Sequence, residues 1–369
     1  MPQEHVVPEI GLISLLRKSW LNWLLLFIPI SIAVELLHLP DLWLFIISAV
    51  AIIPLAAQIG VATEQLSNRV GPGLGGLMNA TFGNATELII ALFALRAGLQ
   101  EVVKASISGS IIGNILLVLG LSLLLGGWGR QKQTFERTSA GANAAMLCLA
   151  VVALVMPAVF DLAVYGSLER VTIEIEHLSL LVAGVLMLTY IASLVFSLKT
   201  HRVLFSSVPA GEREASLSVG KSILLLLIAA SLTAVESEFL VSSISEATRA
   251  LGMTEFFVGV IVIAIIGNAA EHFSAVVMAM KNKMDLAVTI CTASSTQIAL
   301  FVAPVLIFAS LLFGEPMSLV FNAFEIVGIA LSVLLLAVVS LDGESNWFEG
   351  FQLLAVYVVL GIVFYFVPA

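Results

Sequence analysis

Two short stretches of the chain carry the same residue types at the same spacing. "GNATEL", residues 83–88, and "GNAAEH", residues 267–272, each set a glycine, an asparagine and a glutamate into apolar sequence. A carboxylate embedded in a membrane-spanning stretch is expensive and is a functional candidate by default. Aligned without a gap, the copies match Gly83 with Gly267, Asn84 with Asn268, Ala85 with Ala269 and Glu87 with Glu271. Further along the same alignment Glu101 meets Asp285 and Ser110 meets Ser294. Matches of Ala or Leu in apolar helices carry little weight, so the polar matches carry the repeat.

The residues of these stretches are oxygen donors. On one continuous helix Gly83, Asn84 and Glu87 share a face, as do Gly267, Asn268 and Glu271, because residues three and four apart are neighbours. Glycine costs a helix interior about 1 kcal/mol relative to alanine, and in a membrane it admits another backbone or turns carbonyls toward a cavity. Ser110, Asn114, Ser294, Ser295 and Gln297 follow each copy and extend the candidate ligand set. Hard divalent cations such as Ca²⁺ take about six to eight oxygen ligands. A softer metal prefers thiolate or imidazole, and His272 is the one histidine beside these residues.

Charge balance then suggests a mechanism. Two glutamates match a divalent ion, and without it they are two uncompensated charges in a low-dielectric site, so the empty site takes up protons. Cation and protons compete for the same oxygens, which makes exchange possible. His272 is a candidate proton relay or a neighbour that tunes Glu271. A helix-borne zinc pair needs histidines four apart around the glutamate, but position 276 is Val276, so a metalloprotease reading fails. A partial echo ahead of each copy, "ATEQLSNRVG" and "ISEATRALG", adds Glu64 and Glu246 as candidates at the mouth of the cavity. No resident cofactor is expected; the cation is cargo.

What must position these residues is a membrane protein. The 369 residues are 60% hydrophobic and 11% charged, with a mean hydropathy of +1.10, too little polar surface to cover a soluble globule. This excludes a soluble catalytic domain, and with no assembled nucleophile or metal motif the chain is not expected to be an enzyme. No basic cluster suggests nucleic acid. Cys148 and Cys291 lie in different apolar runs and read as buried small hydrophobes. The apolar run after Arg17 and Lys18 lacks a small-residue cleavage site and reads as a first spanning helix.

The expected fold is all-α, with about eleven transmembrane helices near residues 20–37, 41–66, 74–97, 104–127, 142–160, 178–198, 220–247, 254–280, 286–313, 319–341 and 348–367. With the amino terminus in the cytoplasm, Arg17, Lys18, Arg69, Arg130, Lys132, Arg137, Lys199, Arg202, Arg213, Lys221, Lys281 and Lys283 fall inside, and Arg96, Lys104, Arg170 and Arg249 outside. That bias satisfies the positive-inside rule and puts the carboxyl terminus outside. A leading helix within residues 1–40 leaves ten helices, in halves 41–198 and 220–369 joined by a cytoplasmic linker at 199–219. Five is odd, so the halves insert upside down relative to each other. That is the inverted-repeat architecture of secondary transporters, with a site near the midplane. Lipid-facing and partner-facing apolar helices look alike in sequence, so a homo-oligomer stays open.

On the paired stretches "GNATELIIALFALRAGLQEVVKASISGSIIGN" and "GNAAEHFSAVVMAMKNKMDLAVTICTASSTQIALFVAP", the sequence resembles the Ca²⁺/H⁺ antiporters of the cation/proton exchanger family, within the cation/Ca²⁺ exchanger superfamily. The resemblance covers nearly the whole chain. It implies that Glu87 and Glu271 alternately hold Ca²⁺ and protons, inside a polar shell of Asn84, Asn268, the following serines and Gln297. It also implies alternating access, with gating helices moving against a core. The sodium/calcium branch typically carries a proline just before its acidic core residue, where this chain has Thr86 and Ala270; that departure favours protons over sodium. Plant and fungal members usually have a longer amino-terminal tail and a more acidic segment between the halves, so the resemblance points to a prokaryotic plasma membrane. Two alternatives stay open: a Na⁺/Ca²⁺ exchanger of the same fold, and a gated cation channel with a fixed acidic pore.

Overall fold

The computed structural model describes residues 20–70, 72–166, 168, 172–200 and 217–368. Arg17, Lys18, Arg170, Arg202, Arg213 and most of the expected linker lie outside the described residues. The chain is almost entirely helical. In order, the helices are α1 (Leu21–Leu36), α2 (Asp41–Val70), α3 (Pro72–Phe82), α4 (Ala85–Arg96), α5 (Gln100–Gly127), α6 (Arg137–Tyr165), α7 (Ile173–Thr200) and α8 (Val219–Ser242). They continue with α9 (Ile244–Leu251), α10 (Glu255–Gly267), α11 (Ala269–Met280), α12 (Met284–Phe313), α13 (Ala323–Val339) and α14 (Trp347–Tyr365). Two short strands, β1 (Gln133–Thr134) and β2 (Glu344–Ser345), pair antiparallel.

Among the described residues, seven helices are long and apolar enough to cross a membrane: α2, α5, α6, α7, α8, α12 and α14. The bent pair α9–α10, which turns by 108°, would make an eighth. Their outward faces carry Leu149, Leu181, Leu188 and Leu312, exposed by 68% or more, as lipid-facing residues must be. The inner faces form one continuous buried cluster that runs through both halves of the sequence.

Helix boundaries follow local chemistry. The side chains of Thr172, Ser218, Thr254 and Asn346 accept from first-turn N–H groups of α7, α8, α10 and α14, satisfying donors that have no intrahelical partner. Asn322 and Glu325 form a reciprocal capping box, so α13 begins at Ala323 and not near 319 as the hydrophobic run suggests. The expected single span over 220–247 also divides. The Ser243 hydroxyl donates back to Phe239 O and Leu240 O, at 2.7 and 3.0 Å, and the chain turns there into α9.

Contacts between loops sort the helix ends into two sets. At one end, Gln100 donates to Glu315 O at 3.0 Å, Lys104 to Val320 O at 3.1 Å, and Leu319 N to Ser179 Oγ at 3.0 Å. At the other, β1 pairs with β2, Lys132 meets Glu344 at 2.6 Å, and Gln133 donates to Ala279 O at 3.1 Å. The two sets place the helix ends in two groups at opposite ends of the bundle.

Candidate ion-exchange site

The two motif helices are not continuous. Helical geometry is interrupted at the asparagines: Asn84 has φ −93° and ψ 17°, Asn268 has φ −97° and ψ 6°, and new helices α4 and α11 start at Ala85 and Ala269. On one unbroken helix, glycine, amide and carboxylate would share a face. The break changes that relation. Glu87 and Glu271 instead sit in the first turns of restarted helices, where unpaired N–H groups and the positive dipole end favour an anion.

The two breaks cross one another. A methyl group added at Gly267 would lie 2.8 Å from Glu87 Cγ, and one added at Gly83 would lie 3.6 Å from Glu271 Oε1. Each motif glycine therefore lies against the other motif's glutamate; at Gly267 only a glycine leaves room for so close an approach, whereas at Gly83 the contact with the glutamate is an ordinary one.

Around this crossing the polar side chains interlock across the halves. Glu87 Oε1 accepts from the Ser110 hydroxyl at 2.6 Å and from Asn268 Nδ2. Asn268 Nδ2 also reaches Ser110 Oγ and Ala264 O, both at 2.8 Å. Asn114 Nδ2 donates to Ser294 Oγ at 2.9 Å, and Asn84 Nδ2 to Gln297 Oε1 at 2.5 Å. Asn114 and Gln297 lie where α5 and α12 widen into π-helical turns, Gly113–Val118 and Ile298–Val302; such turns are frequent at functional sites because they expose backbone and shift the facing residues. Asn84, Ser110, Asn114, Asn268 and Ser294 are all buried.

Glu271 is held differently. No hydrogen bond to its carboxylate from Ser294, Asn268 or Asn84 matches those that hold Glu87; Ser294 bonds instead with Asn114 and Asn268. Glu271 Oε2, together with Asn84 Oδ1 and His272 Nε2, is a buried atom without a hydrogen-bond partner. Unsatisfied buried acceptors are rare in native structures. A hard cation would satisfy the two oxygens.

Other sequence candidates fall elsewhere. Ser295 is buried and donates to Cys291 O of its own helix at 2.9 Å, and no hydrogen bond joins it to Glu87, Glu271 or the asparagines. Glu64 is half-buried on α2, while Glu246 is exposed on α9 and pairs with Arg249 at 3.6 Å; neither bonds to Glu87 or Glu271. Among the described residues, no group of three or more His, Cys, Asp or Glu could hold a metal ion, so any cation here relies on amide and hydroxyl oxygens as well. Both cysteines are free, but only Cys291 is buried as expected; Cys148 is exposed on the outer face of α6.

Buried carboxylates that the motif search passed over also emerge. Glu325 is buried and accepts from Ser108 at 2.8 Å, and Glu236 is buried and accepts from Ser31 at 2.6 Å. The signal for Glu236 was an acidic residue inside the apolar run of α8; it has no counterpart in the first half, so a search for matched pairs misses it.

A profile of the sodium/calcium exchanger protein family matches residues 41–199 and 221–366. The chain belongs to that family. It is 47% identical, over 94% of its length and 96% of the relative's, to the Ca(2+)/H(+) antiporter of Aphanothece halophytica. It is 45% identical to the Ca(2+)/H(+) antiporter ChaA of Bacillus subtilis (strain 168), over 92% of this chain and 96% of that one. Among solved structures, native YfkE superposes with a TM-score of 0.82 at 41% identity, covering 95% of this chain and all of that one.

Proposed function

We propose that this protein exchanges cytosolic Ca²⁺ for protons across the membrane by alternating access. One observation carries the reading: two glutamates from matching segments sit at restarted helix ends, each packed against the other segment's glycine. The similarity to proteins named Ca(2+)/H(+) antiporters supports the same substrates. Glu87 and Glu271 bind Ca²⁺ or protons in competition, and Asn84, Asn268, Ser110, Ser294, Asn114, Gln297 and the carbonyls near Gly83 and Gly267 form the polar shell. His272 adjoins Glu271 and relays or tunes its proton. Ca²⁺ is cargo, bound by oxygens in flexible geometry.

The architecture we infer is a leading helix followed by two inverted sets of five, eleven spans in all, in a prokaryotic plasma membrane with the amino terminus inside. Each broken motif helix counts as one span; breaks of this kind recur where transporters bind ions near the midplane. The division of loop contacts between two ends agrees with this topology.

Everted vesicles loaded with a proton gradient test the function. Ca²⁺ uptake that collapses with the pH gradient and ignores sodium supports it. Full pH-dependent exchange in both Glu87→Gln and Glu271→Gln would refute the shared-carboxylate site, and uptake driven by sodium alone would favour Na⁺/Ca²⁺ exchange.

A further inference from the structure

Glu236 lies in α8, in mid-helix, with no exposed surface. Its Oε1 accepts the Ser31 hydroxyl of α1 at 2.6 Å, and its Oε2 is buried without a partner. Thr233, three residues earlier on the same helix face, is a buried hydroxyl likewise lacking a partner. The helices packed against α8 carry Glu35 on α1; Asp41, Glu64 and Arg69 on α2; Glu87 and Arg96 on α4; and Glu246 and Arg249 on α9. Lys221 and Glu238 are on α8 itself. None of these bonds to Glu236, whose one hydrogen bond is to Ser31.

An ionised carboxylate in that setting lacks a countercharge and has one hydroxyl donor, which costs several kcal/mol inside a bilayer. The neutral acid avoids that cost. The position also matters. α8 packs along α2 more extensively than any other two helices pack, and α2 in turn contacts α3, α10 and α11, which flank the two asparagine breaks. Glu236 thus joins the leading helix, outside both repeats, to a helix pair that borders the ion site. Carried back at the spacing of Glu87 and Glu271 the matching position of the first half is Ile52, and at the spacing of Glu64 and Glu246 it is Pro54; neither is acidic, so this group is a one-sided addition to the exchanger.

We propose that Glu236 is a third proton-carrying residue of the exchange cycle, sealed by Ser31 in this arrangement and opened to water when α8 shifts. When α8 opens the group to one side, the carboxyl O–H breaks and the proton passes to water there; with α8 in its other position the carboxylate takes a proton from water on the opposite side before Ser31 covers it, so each cycle carries one proton across. The proposal rests on the exchange reading above.

The test is proton counting in liposomes reconstituted with the full chain, using the pH gradient that nulls a fixed Ca²⁺ gradient. Glu236→Gln keeps an acceptor for Ser31 and cannot ionise. It should still move Ca²⁺, with a smaller H⁺:Ca²⁺ ratio and a shifted pH profile. A ratio and profile superimposable on wild type overturn the proposal. Should Glu236→Gln fail to fold, Ser31→Ala reads the same group: removal of the seal should displace the pH profile of Ca²⁺ uptake, and an unmoved profile overturns the proposal equally. A wild-type protein showing no Ca²⁺/H⁺ exchange would instead sink the functional reading on which this rests.

Discussion

The two halves of the site use one motif in two ways. Glu87 is pinned: Ser110 and Asn268 both donate to its Oε1, and Gly267 abuts its Cγ. Glu271 is loosely held, with Ser294 beside it, an unpartnered Oε2, and Gly83 at ordinary contact distance from its carboxylate. A matched pair of sequences has become a fixed anchor and a free arm. The difference lies in the carboxylates: that of the second half keeps a buried oxygen without a hydrogen-bond partner, while that of the first half is bonded to Ser110 and Asn268.

The sharpest way to break this comparison is to neutralise each arm. Glu87→Gln and Glu271→Gln should each reduce Ca²⁺/H⁺ exchange in everted vesicles to background, since either leaves a divalent ion with one carboxylate. Retained exchange in one of them would show that the halves are not jointly required. The next effect separates the asparagines. Asn268→Ala removes a donor to Glu87 and leaves that carboxylate under-bonded at a cost of roughly 1–3 kcal/mol, whereas Asn84→Ala removes the bond to Gln297 and one unpartnered amide oxygen but breaks no bond to either carboxylate. The apparent Ca²⁺ affinity should therefore fall further in Asn268→Ala, and equal losses would dissolve the distinction between anchor and arm.

The glycines give a smaller contrast. Gly267→Ala drives a methyl into the stem of Glu87, an overpacking of typically ~1–3 kcal/mol, and should raise the Ca²⁺ KM. Gly83→Ala meets mainly the Asn79 carbonyl of its own chain, 2.7 Å away, and should lower thermal stability more than it disturbs ion binding. Smallest of all is an effect remote from the site. Backbone donation from Ser139 holds the Glu136 carboxyl below the usual carboxylate range at the start of α6. A depressed folded value adds stability above the unfolded pKa and loses it as pH falls through the folded one. Glu136→Gln should therefore lower Tm slightly at neutral pH and match wild type in acid.

Much of this was legible in the sequence. The apolar runs located the helices to within a few residues, and the paired Gly-Asn-x-x-Glu segments singled out the residues that meet. What the sequence concealed depends on long-range packing. Gly-Asn in an apolar run fits a kink as well as a full restart, and the choice at Asn84 and Asn268 is made by the opposing segment lying against it. Ser294 and Ser295 are equal candidates by type; helix phase alone turns one toward Asn114 and the other back onto Cys291. Glu236 was hidden for another reason: internal symmetry finds what is duplicated, and this residue is not.

The small β1–β2 pairing has a mechanical consequence. It ties the turn between α5 and α6 to the turn between α13 and α14, and Lys132 with Glu344 clasps the join. Those four helices wear a common collar at one rim, so a tilt of one drags the others. The α2–α8 couple stands outside that collar: the strand pairing girdles one flank of the molecule and leaves the other without such a clasp.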